Sequence, residues 1–390
     1  MGQSFDVLVI GLGAHGSAAL YHLSKTGKKV AGIDRFTPPH VHGSSHGGSR
    51  IIRQAYHEGS FYVPLVRAAY PLWEALQRES DKTLLIKTGG LLLGTEDSAT
   101  LKGARTSAQT FGIEYEDLDA AQIRRRFPAF RAADDTIGVS EKEAGILFPE
   151  TCIQSWLAGA AANNAELHYN ERVTAILPRN NEVEVTTDRA RYTAGKVIVS
   201  AGAWLSTLLP ELDLPLTVER QVMCWFDDRG GQTSFLPANM PVYLWEYDPG
   251  RLIYGIPQLE DGIKIAFHHA GRQIQPDDLH HDVTEGGISA IREVTEAEIS
   301  AARDIARRYL TMDPIFRSSS VCMYTNTPDE HFLLDTHPHC NDILIASPCS
   351  GHGFKFSSVI GKILSDLATD QPVAFDLTPF AFARFVRKLQ

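Results

Sequence analysis

Asp6-Val7-Leu8-Val9-Ile10, followed at once by Gly11-Leu12-Gly13-Ala14-His15-Gly16, is the stretch on which the reading of this chain turns. The first five residues read as a buried strand, and the residues after Gly13 read as a helix that runs through Leu23 and stops near Gly27. Lys29-Val30-Ala31-Gly32-Ile33 is then a second strand, ending in Asp34. The order strand, glycine turn, helix, strand, acid has a physical logic. Gly11 and Gly13 let the backbone turn and approach a pyrophosphate, Gly16 lets the helix pack on the strand, and the helix N-terminus attracts the anion. Asp34 stands where an acid takes ribose hydroxyls. The expectation is a doubly wound, Rossmann-like dinucleotide fold, and the motif by itself does not separate NAD from FAD.

At 390 residues the chain is long enough for two packed domains. Its 43% hydrophobic and 22% charged residues are ordinary for a soluble globular protein. A net charge of −10 argues against a nucleic-acid partner, because phosphate binding needs clustered, uncompensated Lys and Arg. Five cysteines, odd in number and without a CxxC pair, suggest neither a disulfide framework nor a zinc site. The start of the sequence has no signal-like region, and no apolar run reaches membrane-spanning length, so a cytoplasmic protein without a membrane partner is expected.

Between about residues 60 and 150 the pattern is mostly helical, broken by a glycine-bounded strand at Thr88 to Gly94. The cationic Arg124-Arg125-Arg126 reads as a solvated helix face. Thr151 to Asn163 reads as a helix, and strands beginning at Val173, Val183 and Lys196 then form a meander that returns to the nucleotide sheet. There Gly202 permits close approach to a cofactor. From about 217 to 322 the chain is β-rich and aromatic (Trp225, Phe226, Tyr243, Trp245, Tyr247, Tyr254, Phe267), which suits either a pocket wall or a sandwich core.

Asp261 to His268 alternates strictly, with Ile263, Ile265 and Phe267 on one face and Lys264, Ala266 and His268 on the other. A lysine there ordinarily means a solvent-facing edge; a chemical role requires that face to be covered. Arg50 and Arg53, three apart, are expected on a helical turn with converging guanidinium groups, capped by Ser49. His40, His42 and His46 precede them without metal-like spacing, and no metal is expected. Ser350-Gly351-His352-Gly353-Phe354-Lys355 follows a strand at Ile343 to Ala346 and offers backbone donors and a cation at the switch-point crevice. On pattern alone, Cys322 is a buried, inert thiol.

Taken together, GLGAHG, PPHVHGSSHGGSRIIRQAYHEG, the GIK strand at 262–264, VCMYTNTPDEHF and SGHGFKFSS resemble the monomeric sarcosine oxidase and N-methyltryptophan oxidase family of FAD enzymes over nearly the whole chain. The resemblance implies a doubly wound FAD domain of discontinuous segments (1–86, 150–216 and 322–390) under a β-sheet substrate domain (87–149 and 217–321). It implies FAD on Gly11, Gly13, Gly16, Asp34, Val173, Gly202, Gly351 and Gly353, bonded to Cys322. It implies Lys264 as the oxygen-activating group, with Arg50, His268 and Tyr254 completing the catalytic set. Arg53 and Lys355 would clamp a substrate carboxylate, with Tyr324 beside them. Gly48, Ser49 and Pro348-Cys349 depart from the family pattern. A monomer acting on a small amino acid and O2 follows, with pipecolate or a fructosyl amino acid as the alternative substrate. Outside the family, an NAD-linked dehydrogenase or a flavoprotein without oxidase turnover remain the rival readings; Trp245 suits either stacking on a large substrate or core packing.

Overall fold

A computed structural model describes residues 3–180, 182–279 and 293–386. Gln3–Ile10 lies between the parallel strands Val30–Ile33 and Arg191–Val199. Glu166–His168 continues the sheet beyond Val30–Ile33, also parallel. On the other side Arg191–Val199 is shared: its first half pairs with Val183–Thr187, which pairs in turn with Val173–Pro178, and its last residues pair in parallel with Cys340–Ser347. The first strand explains its own composition. Val7 and Val9 face a core shared with the helices Ala14–Ser24, Val63–Ser80, Pro149–Ala162 and Ser357–Ala368, whereas Leu8 and Ile10 face a second core under the meander. A parallel strand covered on both faces has no polar side to display, hence the unbroken apolar run.

The second large sheet is built from nine strands among the described residues. Its centre is Thr217–Asp228, Gly262–His268, Arg251–Leu259 and Val242–Asp248, antiparallel neighbours in that order, with Pro314–Asn326 on the far edge of Thr217–Asp228. One face is core: Cys224, Phe226, Tyr243, Trp245, Ile253, Ile263 and Ile265 pack with Ala302, Ala306 and Tyr309 of the helix Glu296–Tyr309. Trp245 is 3% exposed with its ring centroid 4.6 Å from that of Tyr309, so it is a packing residue. The opposite face carries Met223, Trp225, Tyr254, Ala266, Cys322 and Tyr324 in one cluster. Pro314–Asn326 runs unbroken through residue 322, where the sequence suggested a change of domain.

One local expectation is overturned. Arg50–Ile52 is a short strand, paired with Gly145–Leu147, which also pairs with Leu85–Lys87 in a three-stranded sheet. Two adjacent β-branched residues favour that extended state, and no helical turn brings Arg50 and Arg53 together. Ser49 caps nothing: its hydroxyl is buried and has no hydrogen-bond partner among the described residues. No helix among the described residues is long and apolar enough to cross a membrane.

Candidate active site

A cavity of about 350 Å³ lies between the two large sheets. Gly11, Gly13, Asp34, Val173 and Gly202 line one end; Arg50, Arg53, Glu58, Tyr254, His268, Cys322, Tyr324, Gly351, Gly353 and Lys355 line the rest. Residues drawn from the whole length of the sequence therefore meet in one space.

The glycine turn has no room for a side chain at Gly11 or Gly16. A Cβ at Gly16 would lie 1.8 Å from the Gly11 carbonyl oxygen, so this position, inside the first helix and off the cavity wall, sets how closely helix and turn approach. The helix begins at Gly13 with no side-chain cap and no acid in its first turn, which leaves its positive end suited to an anion. Asp34 does more than the sequence suggests: its Oδ2 accepts from the Leu12 amide at 2.7 Å and its Oδ1 from the Phe36 amide at 2.8 Å, tying the end of the second strand to the glycine turn. These features fit the pyrophosphate and ribose of a dinucleotide.

The roof of the other end is the second sheet's inner face. Lys264 sits directly across from Trp225 and Ile256, and the loop at 44–49 covers it. Its Nζ donates to the Gly47 and Ser49 carbonyls at 2.9 and 3.0 Å, and it is 1% exposed. That burial refutes the solvent-facing reading of this strand face. It also places Lys264 behind the cavity wall rather than on it. Gly47 is required here, since a Cβ would lie 2.7 Å from Met223 and the backbone has φ of 96°. Arg50 shares the same loop, donating to the Ser44, His46 and Ser49 carbonyls. Glu150, at the start of its helix, fastens the loop by accepting from the Gly47 and Gly48 amides at 2.7 and 3.1 Å. Burial, helped by Arg50, pushes the Lys264 ammonium down to about 7. Burial raises the Cys322 thiol, against which Arg50 and Lys264 favour the thiolate.

Arg53 and Lys355 are both buried at the cavity wall. Arg53 is already engaged: it donates to the Ala55 carbonyl at 2.8 Å and to both oxygens of Glu58 at 2.6 Å. Burial alone would raise the Glu58 carboxyl, but Arg53 above all holds it well below the usual range. Glu58 thus offsets the charge of Arg53 and leaves Lys355 as the less compensated cation. Burial, with Arg53 adding to it, pushes Lys355 down to about 7. The residues from 53 to 58 are pinned from behind, because the Glu141 carboxylate accepts from the Gln54 and Ala55 amides at 2.8 and 2.6 Å. His268 is held neutral chiefly by burial, and its Nδ1 lies 3.2 Å from the Tyr324 hydroxyl. Burial pushes Tyr254 up to about 12, so its hydroxyl keeps its proton.

The model of the family of FAD-dependent oxidoreductases known as DAO matches residues 6–367. The chain belongs to this family of FAD-dependent oxidoreductases. It is 41% identical over 372 residues, 94% of each chain, to monomeric sarcosine oxidase of Streptomyces avermitilis. It is 37% identical to N-methyl-L-tryptophan oxidase of Citrobacter koseri, covering 99% of this chain and 100% of that one. Among solved structures, the Tyr258Phe mutant of NikD, an amino acid oxidase of nikkomycin biosynthesis, superposes with a TM-score of 0.82 at 24% identity, covering 97% of both chains. L-proline dehydrogenase from P. horikoshii superposes with a TM-score of 0.82 at 19% identity over 100% of this chain and 99% of that one. These two likenesses concern the fold, and they agree with the two-sheet architecture that the first strand and glycine turn announce.

Of the residues expected to hold cofactor, bind substrate or act in catalysis, all but Lys264 and Gly16 line the cavity, and those two stand immediately behind it. Sequence reasoning missed Tyr56, Glu58, Glu141, Glu150 and His352 as working parts. Tyr56 and Glu58 lie inside the RIIRQAYHEG motif, which is their one signal. Nothing local marks Glu141 or Glu150, whose partners lie on other elements.

Proposed function

We propose that this chain oxidises a secondary N-methyl amino acid of the sarcosine or N-methyl-L-tryptophan type, with FAD tethered through Cys322 and O2 as electron acceptor. Bound FAD would supply the hydride acceptor for the carbon beside the amine and return the electrons to O2, so that the imine product hydrolyses to formaldehyde and the demethylated amino acid, with hydrogen peroxide released. The observation that carries the reading is the placement of two buried cations, Arg53 and Lys355, in the same cavity as Cys322. A fork and a point charge in a dry cleft anchor a carboxylate, and the anchored acid fixes where the amine lies. Tyr324, His268 and Tyr254 border that space with neutral groups, which suits an amine that reacts uncharged. Lys264 from behind the wall and Arg50 on it present positive charge toward Cys322, favouring the thiolate needed for attachment and, later, the reduction of O2. In this reading the enzyme works as a cytoplasmic monomer.

A peroxide-coupled screen of the purified protein across sarcosine, N-methyl-L-tryptophan, pipecolate and proline tests it. Peroxide with equimolar formaldehyde from an N-methyl substrate is the expected result. Peroxide from pipecolate without formaldehyde moves the assignment to cyclic imino acids, and no peroxide from any amine by flavin-loaded protein contradicts an oxidase.

A further inference from the structure

Lys355 is held by a chain of hydrogen bonds that runs in one direction. Its Nζ donates to the His352 carbonyl at 2.8 Å and to the Tyr56 hydroxyl at 3.3 Å. The Tyr56 hydroxyl lies 2.6 Å from His352 Nδ1, and His352 Nε2 lies 3.1 Å from the Glu330 carbonyl. A carbonyl oxygen only accepts, so Nε2 carries the proton. Burial pushes the imidazole down to about 3, which leaves the ring neutral and Nδ1 bare. The Tyr56 hydroxyl therefore donates to His352 and turns its lone pairs to Lys355. An ammonium has three N–H groups. Two are used within the described residues, and the third is left for a ligand in the cavity that Lys355 lines. Tyr56 is fully buried against Tyr62 and Phe356, so it has no solvent route to another partner.

We infer that Tyr56 and His352 are positioning residues: together they orient the Lys355 ammonium and keep it charged toward a substrate carboxylate. The inference rests on the carboxylate-clamp reading of Lys355. The charged and titratable groups around Lys355 are Arg53, His57 and Glu58 from the preceding loop, with Tyr56 and His352 themselves. Arg53 and Glu58 pair with each other, so the Tyr56 hydroxyl is the neutral side-chain acceptor that, beside the His352 carbonyl, favours the ammonium form.

The probe is butyrate, which has the carboxylate and chain length of N-methylglycine but no oxidisable amine, titrated by its effect on the flavin absorption of the loaded enzyme. Y56F retains the ring and removes the acceptor. Butyrate should bind it roughly tenfold more weakly near neutral pH, the scale of a hydrogen bond to a charged group. The pH above which affinity falls should also move down by about one unit. H352Q, whose amide still reaches the Glu330 carbonyl but no longer accepts from Tyr56, should shift both readings in the same direction by less. Loaded Y56F with wild-type affinity and a wild-type pH break overturns the inference; if Y56F does not load flavin, the same two readings on H352Q decide. K355M separates the two levels. Wild-type butyrate affinity in K355M overturns the clamp itself, whereas loss there with no change in Y56F and H352Q overturns only the positioning role.

Discussion

The two ends of the cavity are made in different ways. The dinucleotide end is mostly backbone: a glycine turn, a helix N-terminus with no acid in its first turn and one aspartate that stitches the turn to the next strand, all within residues 6–36. The reaction end is side chains, with Arg50, Arg53, Lys264, Cys322 and Lys355 delivered by segments scattered from residue 50 to residue 355. A backbone cradle depends on the absence of atoms, and one added methyl group is enough to spoil it. A cluster of buried cations depends on charge, and it is tuned by neighbours that no local pattern reveals.

The largest expected effect tests the first half of that contrast. In G16A the new Cβ would press on the Gly11 carbonyl from 1.8 Å, and backbone has no rotamer to move away. Purified G16A should carry little yellow cofactor and lose about 2 kcal/mol or more of stability, read from visible absorbance and denaturant melts. Normal loading and stability in G16A would mean that the turn is not a close-packed cradle.

At the other end, K264M should leave cofactor reduction by substrate largely intact and slow reoxidation by O2 by roughly 10²- to 10³-fold, the scale of one lost electrostatic stabiliser. Stopped-flow reoxidation of photoreduced protein measures this, and a wild-type rate removes Lys264 from the oxygen reaction. A smaller effect concerns pH. Lys355 in the free protein loses its proton as pH rises through about 7. A carboxylate favours the ammonium, so above that pH binding must take up a proton, and the Kd of butyrate should rise up to about tenfold per pH unit while staying flat below it. In K355M this slope should vanish; its persistence would assign the titration to another group.

The same contrast explains how much could be read from the sequence. The fold class was legible because the βαβ opening is local: its apolar run, glycine spacing and terminal acid all occur within one short stretch. The reaction end was legible only through motifs that resemble a known family. Arg50 and Arg53 illustrate the gap. Spacing suggested a helical turn, but Arg50–Ile52 pairs with Gly145–Leu147, a partner that no window of sequence around residue 50 contains. Lys264 illustrates it again, since whether its strand face meets water depends on a loop that arrives from residues 44–49. Glu58 and Glu141, which neutralise and pin Arg53, act across elements and carry no periodic signature. Trp245 shows the converse: a residue that looks suited to substrate stacking is consumed by packing against Tyr309.

The central claim is that this cavity seats FAD with its ring against Cys322 and the buried cations. The most direct test is to precipitate the purified protein in acid, digest it, and weigh the peptide that contains Cys322. The account predicts a yellow pellet and a Cys322 peptide heavier by the mass of the flavin group. A colourless, folded protein whose Cys322 peptide is unmodified and that takes up no added FAD would contradict it.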